Sequence, residues 1–267
     1  MIDLLFASTA LHGKHVLITG ATGGIGYETA KMAAACGATV SITGRNESKL
    51  VALYERLKPI TDESKIAMFA ADMGFEDDRL KLIEYCEGKL GVITGLVNAA
   101  GIAENIILDE LDEEKLGEIM HLNYTSSVLL TKEIYKKMKE QRKGAIVNVA
   151  SLSGLRGTYG GTAYASSKFA LIGFTQSLAL EAIKSNINVN AVCPGFVDTP
   201  MARQLISKKA EEAGIPYEEQ MTKIETGFPS GRLTTPEEVA TTIIFMLSGA
   251  VGNLVGESIK ISGGVVV

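Results

Sequence analysis

Short apolar runs alternate with longer amphipathic segments along nearly the whole chain, and this alternation leaves few folds open. Seven runs have the length of β-strands, and several are apolar almost throughout, like strands buried on both faces of a parallel sheet. These runs are His15–Thr19, Thr39–Thr43, Ile66–Ala70, Gly95–Asn98, Ala145–Ala150, Asn188–Cys193 and Ser258–Ile261. The clearest helical segments between them are Ile25–Cys36, Leu80–Lys89, Ser126–Glu140, Tyr164–Lys184 and Pro236–Leu247. The pattern predicts right-handed βαβ units with helices on both faces of one sheet.

No low-complexity linker or fixed repeat divides the 267 residues. We therefore predict a single α/β domain over 1–267, a Rossmann-like doubly wound parallel sheet of about seven strands. Residues 1–11 are expected to form an N-terminal extension. The last helix has a capping box, with Thr235 as N-cap and Glu238 three residues later. Residues 201–232 are polar and helix-prone, then contain Gly and Pro, and we predict that they cover the ligand crevice.

The chain carries 26 basic and 31 acidic residues, which gives a formal net charge of −5. Because no basic excess exists to attract phosphate, we expect neither nucleic acid nor an anionic membrane as a partner. One short basic run is interpreted as the solvated end of a helix, where cations are favourable. It comprises Lys136, Lys137, Lys139, Arg142 and Lys143.

The sequence predicts a cytoplasmic location. Residues 1–11 include an acid and no basic residue, which is unlike a signal peptide. No uncharged run approaches the roughly 18 apolar residues that a membrane-spanning helix needs. Cys36, Cys86 and Cys193 are far apart and form no metal-ligand pattern, as expected for buried thiols in a reducing compartment.

A glycine-rich loop, Thr19–Gly26, follows the first strand and opens directly into a helix. The chain has 28 Gly, where a usage of about 7% would give roughly 19. Glycines at such a junction let backbone N–H groups approach a pyrophosphate at the positive end of the helix. We therefore predict a dinucleotide site, with the loop residues Gly20, Thr22, Gly23, Gly24, Ile25 and Gly26.

Tyr164 and Lys168 are four residues apart and share a helix face. A phenol with a pKa of about 10 needs roughly 4 kcal/mol to ionise at pH 7, and a nearby ammonium favours its ionised form. The pair is therefore a candidate general acid/base, with a solvated surface pair as the alternative. Ser151 ends an apolar strand at the sheet edge where ligands bind, so its hydroxyl can donate to a substrate carbonyl.

Together these motifs resemble a classical short-chain dehydrogenase/reductase, from about Leu11 to Gly264. The matching stretches are TGATGGIG at 19–26, Asp72, NAAG at 98–101, Asn123, Ser151, YASSK at 164–168, PG at 194–195 and GRLTTPEEVA at 231–240. The resemblance implies that Tyr164 is the acid/base and that Ser151 polarises the carbonyl. It implies that Lys168 binds the nicotinamide ribose and lowers the tyrosine pKa. Asn123 would hold a helix distortion and a water that relays protons.

The same resemblance implies further cofactor contacts. Asp72 would cap the adenine, with Met73 beside it. The segment after the fourth strand would lie along the cofactor through Asn98, Ala99 and Gly101. The nicotinamide carboxamide would be held by Pro194, Gly195, Val197 and Thr199, although Thr199 is equally suited to be the N-cap before Pro200. No metal is expected, because the spacing of the three histidines fits neither a metal site nor a triad; they are His12, His15 and His121.

The end of the second strand favours NADP(H) over NAD(H). Gly44 stands where similar NAD-preferring proteins usually have Asp, so nothing there repels a 2′-phosphate. Arg45, followed by Asn46, is able to bind that phosphate in a bidentate manner. Two features point the other way: Gly23 occupies a loop position that is often basic in NADP-binding relatives, and Glu47 follows closely.

The predicted reaction is reversible hydride transfer between NADP(H) and a ketone/secondary alcohol pair, similar to 3-oxoacyl-carrier-protein reduction. The alternatives are an NAD-dependent sugar, polyol or hydroxysteroid dehydrogenase and a non-catalytic dinucleotide sensor. We expect the carbonyl to lie under a cover, Met201–Phe228, with walls of Leu152, Ser153, Leu155 and Tyr159. A homodimer or homotetramer is expected through the helices carrying Asn123 and Tyr164 and through Gly256–Val267. Ser262 stands where relatives commonly have Asp.

Overall fold

A computed structural model describes residues 7–266 and contains one parallel sheet of seven strands. The strands are β1 His15–Ile18, β2 Thr39–Gly44, β3 Ile66–Ala70, β4 Gly95–Asn98, β5 Gly144–Val149, β6 Ile187–Pro194 and β7 Ser258–Ile261. Their order is β3-β2-β1-β4-β5-β6-β7, with every neighbouring pair parallel. The order reverses between β1 and β4, so the ligand crevice of a doubly wound sheet lies there. The predicted Rossmann-like fold is confirmed.

Nine α-helices are described within residues 7–266. They are α1 Gly24–Ala35, α2 Glu47–Leu57, α3 Glu76–Leu90, α4 Glu113–Met120, α5 Ser126–Gln141, α6 Thr162–Ala182, α7 Pro200–Ala213, α8 Tyr217–Thr226 and α9 Pro236–Ser248. The five predicted helices are present as α1, α3, α5, α6 and α9, with ends shifted by a few residues, and the capping box of α9 has both of its hydrogen bonds. α2 and α4 are additional.

Alternate residues of β1 supply the two sides of the hydrophobic core. Val16 and Ile18 pack with residues of α1, α2 and α9 on one face of the sheet. Leu17 packs on the other face with residues of α3, α5 and α6. All three side chains are fully buried. Because helices cover both faces, the strand is apolar at successive positions rather than alternating.

The ends of the chain are described in part. Residues 1–6 of the predicted extension and Val267 lie outside the described residues. Leu11 is fully buried, and its N–H donates to the Cys36 carbonyl at 2.8 Å, so the end of the extension joins the core. Across residues 7–266, no helix has the length and apolar character that crossing a membrane would require. The cytoplasmic location stays a prediction.

The predicted cover over the crevice is mostly helical, because α7 and α8 occupy the greater part of it. The two ends of this segment are joined by a β-bridge between Val197 and Thr234. The Asp198 N–H donates to the Thr234 carbonyl at 2.9 Å, and the Thr234 N–H donates to the Phe196 carbonyl at 3.1 Å. Residues 199–233 therefore leave the sheet edge and return to the same point. Ile206 of α7 is fully buried, whereas no residue of α8 is buried.

Candidate active site

The loop between β1 and α1 lies directly against the chain that leaves β4. A Cβ on Gly20 would lie 2.7 Å from both the Ala99 carbonyl oxygen and the Ala100 nitrogen, and the φ of Gly20 is +63°. Only glycine combines that φ with so close a backbone approach. The Thr19 hydroxyl accepts the N–H groups of Ala99 and Ala100 at 3.0 and 3.1 Å, which ties the two loops together. Thr19 is not among the predicted site residues, although it begins the loop motif.

The rest of the loop leads into α1, with Gly23 as the N-cap and Gly24–Gly26 in the first turn. The Gly23 N–H donates to the Gly20 carbonyl at 2.9 Å, and Gly26 packs against the same carbonyl. The Thr22 hydroxyl lies beside Gly44 at the end of β2, and Ile25 packs on the core. The loop thus presents backbone at the start of a helix, the arrangement that suits a pyrophosphate.

Gly24 brings the loop into contact with the start of α7. A Cβ on Gly24 would lie 2.5 Å from Thr199 Cγ2. Thr199 caps α7, since its side-chain oxygen accepts the Ala202 N–H at 3.2 Å. The predicted N-cap is therefore present, and it lies beside the phosphate loop, where a cofactor contact is also expected.

At the end of β2, Arg45 faces Asp72, with 4.0 Å between Arg45 Nη1 and Asp72 Oδ2. Asp72 Oδ1 accepts the Gly74 N–H at 2.9 Å, which fixes the carboxylate. The Arg45 side chain is 62% exposed, so it is available to a ligand. Asn46 is the N-cap of α2 and accepts the Lys49 N–H at 2.9 Å.

Two predicted cofactor residues turn their side chains away from the crevice. Met73 is buried in the core, and its carbonyl accepts from Arg79 Nη1 at 2.6 Å. Asn98 Nδ2 donates to Thr131 Oγ1 at 2.9 Å and to Asn148 Oδ1 at 2.8 Å. The side chain of Asn98 therefore joins β4 to α5 and β5, and only its backbone remains for a cofactor contact.

A π-helical turn, His121–Thr125, joins α4 to α5 and holds Asn123 fully buried. The Ile102 N–H donates to Asn123 Oδ1 at 2.8 Å, while Asn123 Nδ2 donates to the Ile102 carbonyl and to Ser167 Oγ. A Cβ on Gly101 would lie 2.9 Å from Asn123 Oδ1 and 3.7 Å from Lys168 Nζ. Gly101, Asn123 and Lys168 therefore meet at one point, and the helix distortion expected at Asn123 is present.

Lys168 lies one helical turn after Tyr164 on α6 and close to its ring. It is 6% exposed, its Nζ donates to the Val149 carbonyl at 3.0 Å, and it lies 5.8 Å from the centroid of the Tyr164 ring. Burial lowers the pKa of Lys168 to about 8, and Cys193 opposes that shift. The ammonium is thus held next to the phenol without a carboxylate in ion-pair contact in the described chain.

The expected lowering of the Tyr164 pKa is not what the protein chain alone produces. Burial raises the pKa of Tyr164 above its ordinary value, and a hydrogen bond with Ser151 lowers it in part. Desolvation outweighs that hydrogen bond, because burial penalises the charged phenolate. Ser151 itself is fixed, since its Oγ accepts the Ser153 N–H at 3.1 Å and starts a short 3₁₀ turn, Leu152–Gly154.

The surroundings of Ser151 fit the predicted substrate walls in part. Leu152 is buried and packs against Gly195, whose N–H donates to the Ile261 carbonyl at 3.0 Å. Ser153 and Leu155 are half-buried. Tyr159 is 92% exposed and projects into solvent, so its assignment as a wall is wrong for this structure. Of the predicted carboxamide contacts, Pro194 ends β6 and Val197 is buried at the β-bridge.

Two of the three histidines have backbone partners, in agreement with a structural role. His15 is 5% exposed, and its ring nitrogens lie 2.7 Å from the Gly91 carbonyl and from Ser41 Oγ. His121 Nε2 lies 2.8 Å from the Gly74 carbonyl. Ser262 has local partners at the last turn, because its hydroxyl donates to the Val266 carbonyl at 3.0 Å.

Comparisons with known proteins agree on one family. The model of the family described as short chain dehydrogenase matches residues 14–210. The chain is 36% identical over 257 residues to 3-oxoacyl-(acyl-carrier-protein) reductase FabG of Thermotoga maritima, covering 96% of this chain and 99% of the relative. It is 31% identical over 255 residues to D-beta-hydroxybutyrate dehydrogenase of Cupriavidus necator, covering 95% and 98%.

Solved structures show the same relationship. A single-substitution variant of actinorhodin polyketide ketoreductase, crystallised with NADPH, superposes with a TM-score of 0.91 at 30% identity and covers 94% of this chain and 97% of that one. A crystal structure of levodione reductase superposes with a TM-score of 0.89 at 25% identity, covering 95% and 98%. From the family match and these full-length relatives we conclude that the chain belongs to the short-chain dehydrogenase family and is an NAD(P)-dependent oxidoreductase.

Proposed function

We propose that the enzyme transfers hydride reversibly between NADP(H) and a ketone/secondary alcohol pair, with a 3-oxoacyl compound as the ketone. The observation that carries this proposal is the meeting of Ser151, Tyr164 and Lys168 at the carboxyl-terminal edge of β5, with Asn123 bonded behind them. A dinucleotide sensor has no need for a phenol, a hydroxyl and an ammonium arranged in this way.

The roles of these side chains follow from their contacts. In the direction of reduction, Tyr164 Oη gives its proton to the substrate oxygen as the carbonyl carbon becomes a secondary alcohol carbon. Ser151 Oγ accepts one N–H, and its own hydrogen, which can bond to Tyr164 when no substrate is present, can turn to that oxygen as negative charge develops. The Lys168 ammonium stabilises the resulting phenolate. The nicotinamide, when bound, supplies or accepts the hydride.

The chain around the glycine loop fits a dinucleotide. Four of the seven residues Gly20–Gly26 are glycine, so the loop presents bare backbone at the start of α1, where a pyrophosphate would rest. The preference for NADP(H) is supported by Gly44, which brings no carboxylate, and by the exposed guanidinium of Arg45. NADPH is also the cofactor named for the similar actinorhodin ketoreductase.

The substrate class is supported by what the named relatives have in common. A 3-oxoacyl-carrier-protein reductase and a D-beta-hydroxybutyrate dehydrogenase both concern a 3-oxo/3-hydroxy acyl pair. We propose such a pair here, on a carrier protein or as a small acid. We also propose a homodimer or homotetramer through α5 and α6, because Phe169 and Leu180 of α6 are apolar and 47% and 69% exposed.

The test is a substrate screen read by the near-ultraviolet absorbance of the reduced nicotinamide, with ketones offered NADPH or NADH and alcohols offered NADP⁺ or NAD⁺ in parallel. The panel contains 3-oxoacyl thioesters, 3-hydroxybutyrate, sugars, polyols and hydroxysteroids. Turnover of the 3-oxoacyl thioesters with NADPH supports the proposal. Turnover confined to sugars, polyols or steroids with NAD⁺ would establish the dehydrogenase alternative, and tight cofactor binding with no turnover at all would favour a sensor.

A further inference from the structure

A cavity of about 220 Å³ opens at the amino-terminal edge of the sheet, opposite to the edge that carries the glycine loop and Tyr164. Lys14 and Thr94 line it directly before β1 and β4, and Gly144 lines it at the first position of β5. Lys143, Asn186 and Asn188 complete the polar part of its wall. Nothing in the proposed hydride transfer uses this edge of the sheet.

The charge that lines the cavity is of one sign. Its wall contains the ammonium groups of Lys14 and Lys143 and no carboxylate. Within residues 7–266, neither lysine forms an ion pair. Earlier lysines of the same basic run differ, since Lys136 pairs with Glu133 and Lys137 with Glu87. At the end of the run, Lys143 is exposed and lies at the cavity instead of beside a carboxylate.

The two ammonium groups are anchored and still have free hydrogen-bond donors. Lys14 Nζ donates to the carbonyls of Leu247 and Ser248 at 2.7 and 3.2 Å, at the end of α9. Lys143 Nζ donates to the Gly13 carbonyl at 3.4 Å. Since an ammonium has three donors, one remains on Lys14 and two remain on Lys143.

The two charges also repel each other. Burial lowers the pKa of Lys14, and the charge of Lys143 lowers it further. An anion in contact with both groups would remove that repulsion and accept the remaining donors.

We propose that this cavity binds a phosphate group, either as the free ion or as the end of a small phosphate monoester. Phosphate suits the site because its several oxygens can accept from two ammonium groups at once, and lysine binds it as a point charge. The site is separate from the dinucleotide crevice, because it lies at the opposite ends of the strands.

The test is the thermal unfolding midpoint in phosphate-free buffer, titrated with inorganic phosphate or with glycerol phosphate while chloride keeps the ionic strength constant. A ligand that binds only the folded state raises the midpoint, because it adds RT ln(1 + [L]/Kd) to the free energy of unfolding. A rise with inorganic phosphate alone identifies the free ion, and a rise with glycerol phosphate identifies a monoester end. No rise with either compound would overturn the proposal.

Variants assign the response to the cavity. Lys143→Gln should weaken the apparent affinity at least about tenfold, the loss expected for one charged hydrogen bond. Lys14→Gln should weaken the apparent affinity to a similar extent. Because Lys143 is exposed, we expect the Lys143→Gln variant to fold. The matched control is Lys139→Gln, which is exposed on the same basic run and outside the cavity, and should keep the wild-type affinity. Arg45→Ala, at the cofactor edge, should also keep it. The assignment would be contradicted if the unfolding midpoint of Lys143→Gln rose with phosphate as the wild-type midpoint does, or if Arg45→Ala lost that rise.

Discussion

Asn123 and Ile102 hold each other through a reciprocal pair of hydrogen bonds. The Ile102 N–H donates to Asn123 Oδ1 at 2.8 Å, and Asn123 Nδ2 donates to the Ile102 carbonyl at 2.9 Å. The pair fixes the chain that leaves β4 to the π-helical turn before α5. It also fixes the amide orientation, because only one nitrogen and one oxygen placement satisfies both bonds.

Asn123→Ala should therefore lower both stability and turnover. The Ile102 N–H would lose its partner, and an unpaired buried donor costs about 1–3 kcal/mol. Urea unfolding and kcat measure the two effects. Ser167→Ala is the control, because it removes a contact of Asn123 and leaves both bonds to Ile102 in place. Equal destabilisation by the two variants would contradict the importance of the reciprocal pair.

Tyr164→Phe should abolish most turnover while cofactor binding survives. General acid–base catalysis contributes about 10²–10⁴-fold, and the phenylalanine ring keeps the packing of α6. The reduced nicotinamide gives both readouts, its absorbance for turnover and its fluorescence for binding. Tyr159→Phe is a matched control at an exposed tyrosine and should be close to wild type. Near-normal turnover in Tyr164→Phe would contradict the proposed mechanism.

Arg45→Ala should weaken NADPH binding about 10- to 100-fold and NADH binding far less, because only NADPH has a 2′-phosphate that the guanidinium can bind. Fluorescence titration with the two reduced cofactors measures both constants. Arg56→Ala, an exposed arginine in the last turn of α2, should change neither. Equal losses for both cofactors in Arg45→Ala would remove the basis for the NADP preference.

Gly20→Ala should lower stability and cofactor affinity together. The added Cβ would meet backbone atoms of Ala99 and Ala100 at 2.7 Å, and the φ of +63° strains any other residue. Gly88→Ala, in an exposed and uncrowded position of α3, should instead raise the free energy of unfolding by up to about 1 kcal/mol. Chemical denaturation of the two variants checks the opposite signs.

The free energy of unfolding should fall as pH drops below 6.5, in part because of His15. Burial lowers the pKa of His15 below its ordinary value of 6.5, while the hydrogen bond to Gly91 opposes that shift. Between the folded pKa and 6.5 the unfolded chain binds more protons, so stability increases with pH there. Urea midpoints between pH 5 and 7 should have a smaller slope in His15→Gln. The exposed His12→Gln should keep the wild-type slope.

The sheet could be predicted from the sequence because its central strands β1, β4 and β5 are short apolar runs that are buried at nearly every position. α2 and α4 are missing from that prediction because they are short, with 11 and 8 residues, although Asn46 and Asp112 accept N–H groups as ordinary N-caps. The direction of the Asn98 side chain depends on partners 33 and 50 residues away, which no local pattern reveals. For the Tyr164 pKa, the sequence shows the nearby lysine but not the depth of burial.

The joined ends of residues 199–233 bear on how such an enzyme could be re-engineered. Because the Val197–Thr234 bridge brings the two ends of the segment together, the length between them is nearly free to change: each doubling costs only about 0.6 kcal/mol in closure entropy. A graft from another relative would need an apolar side chain at the place of Ile206 and a cap at Thr199. Because this segment is predicted to cover the substrate, exchanging it could bring in new substrates while Ser151, Tyr164 and Lys168 stay unchanged.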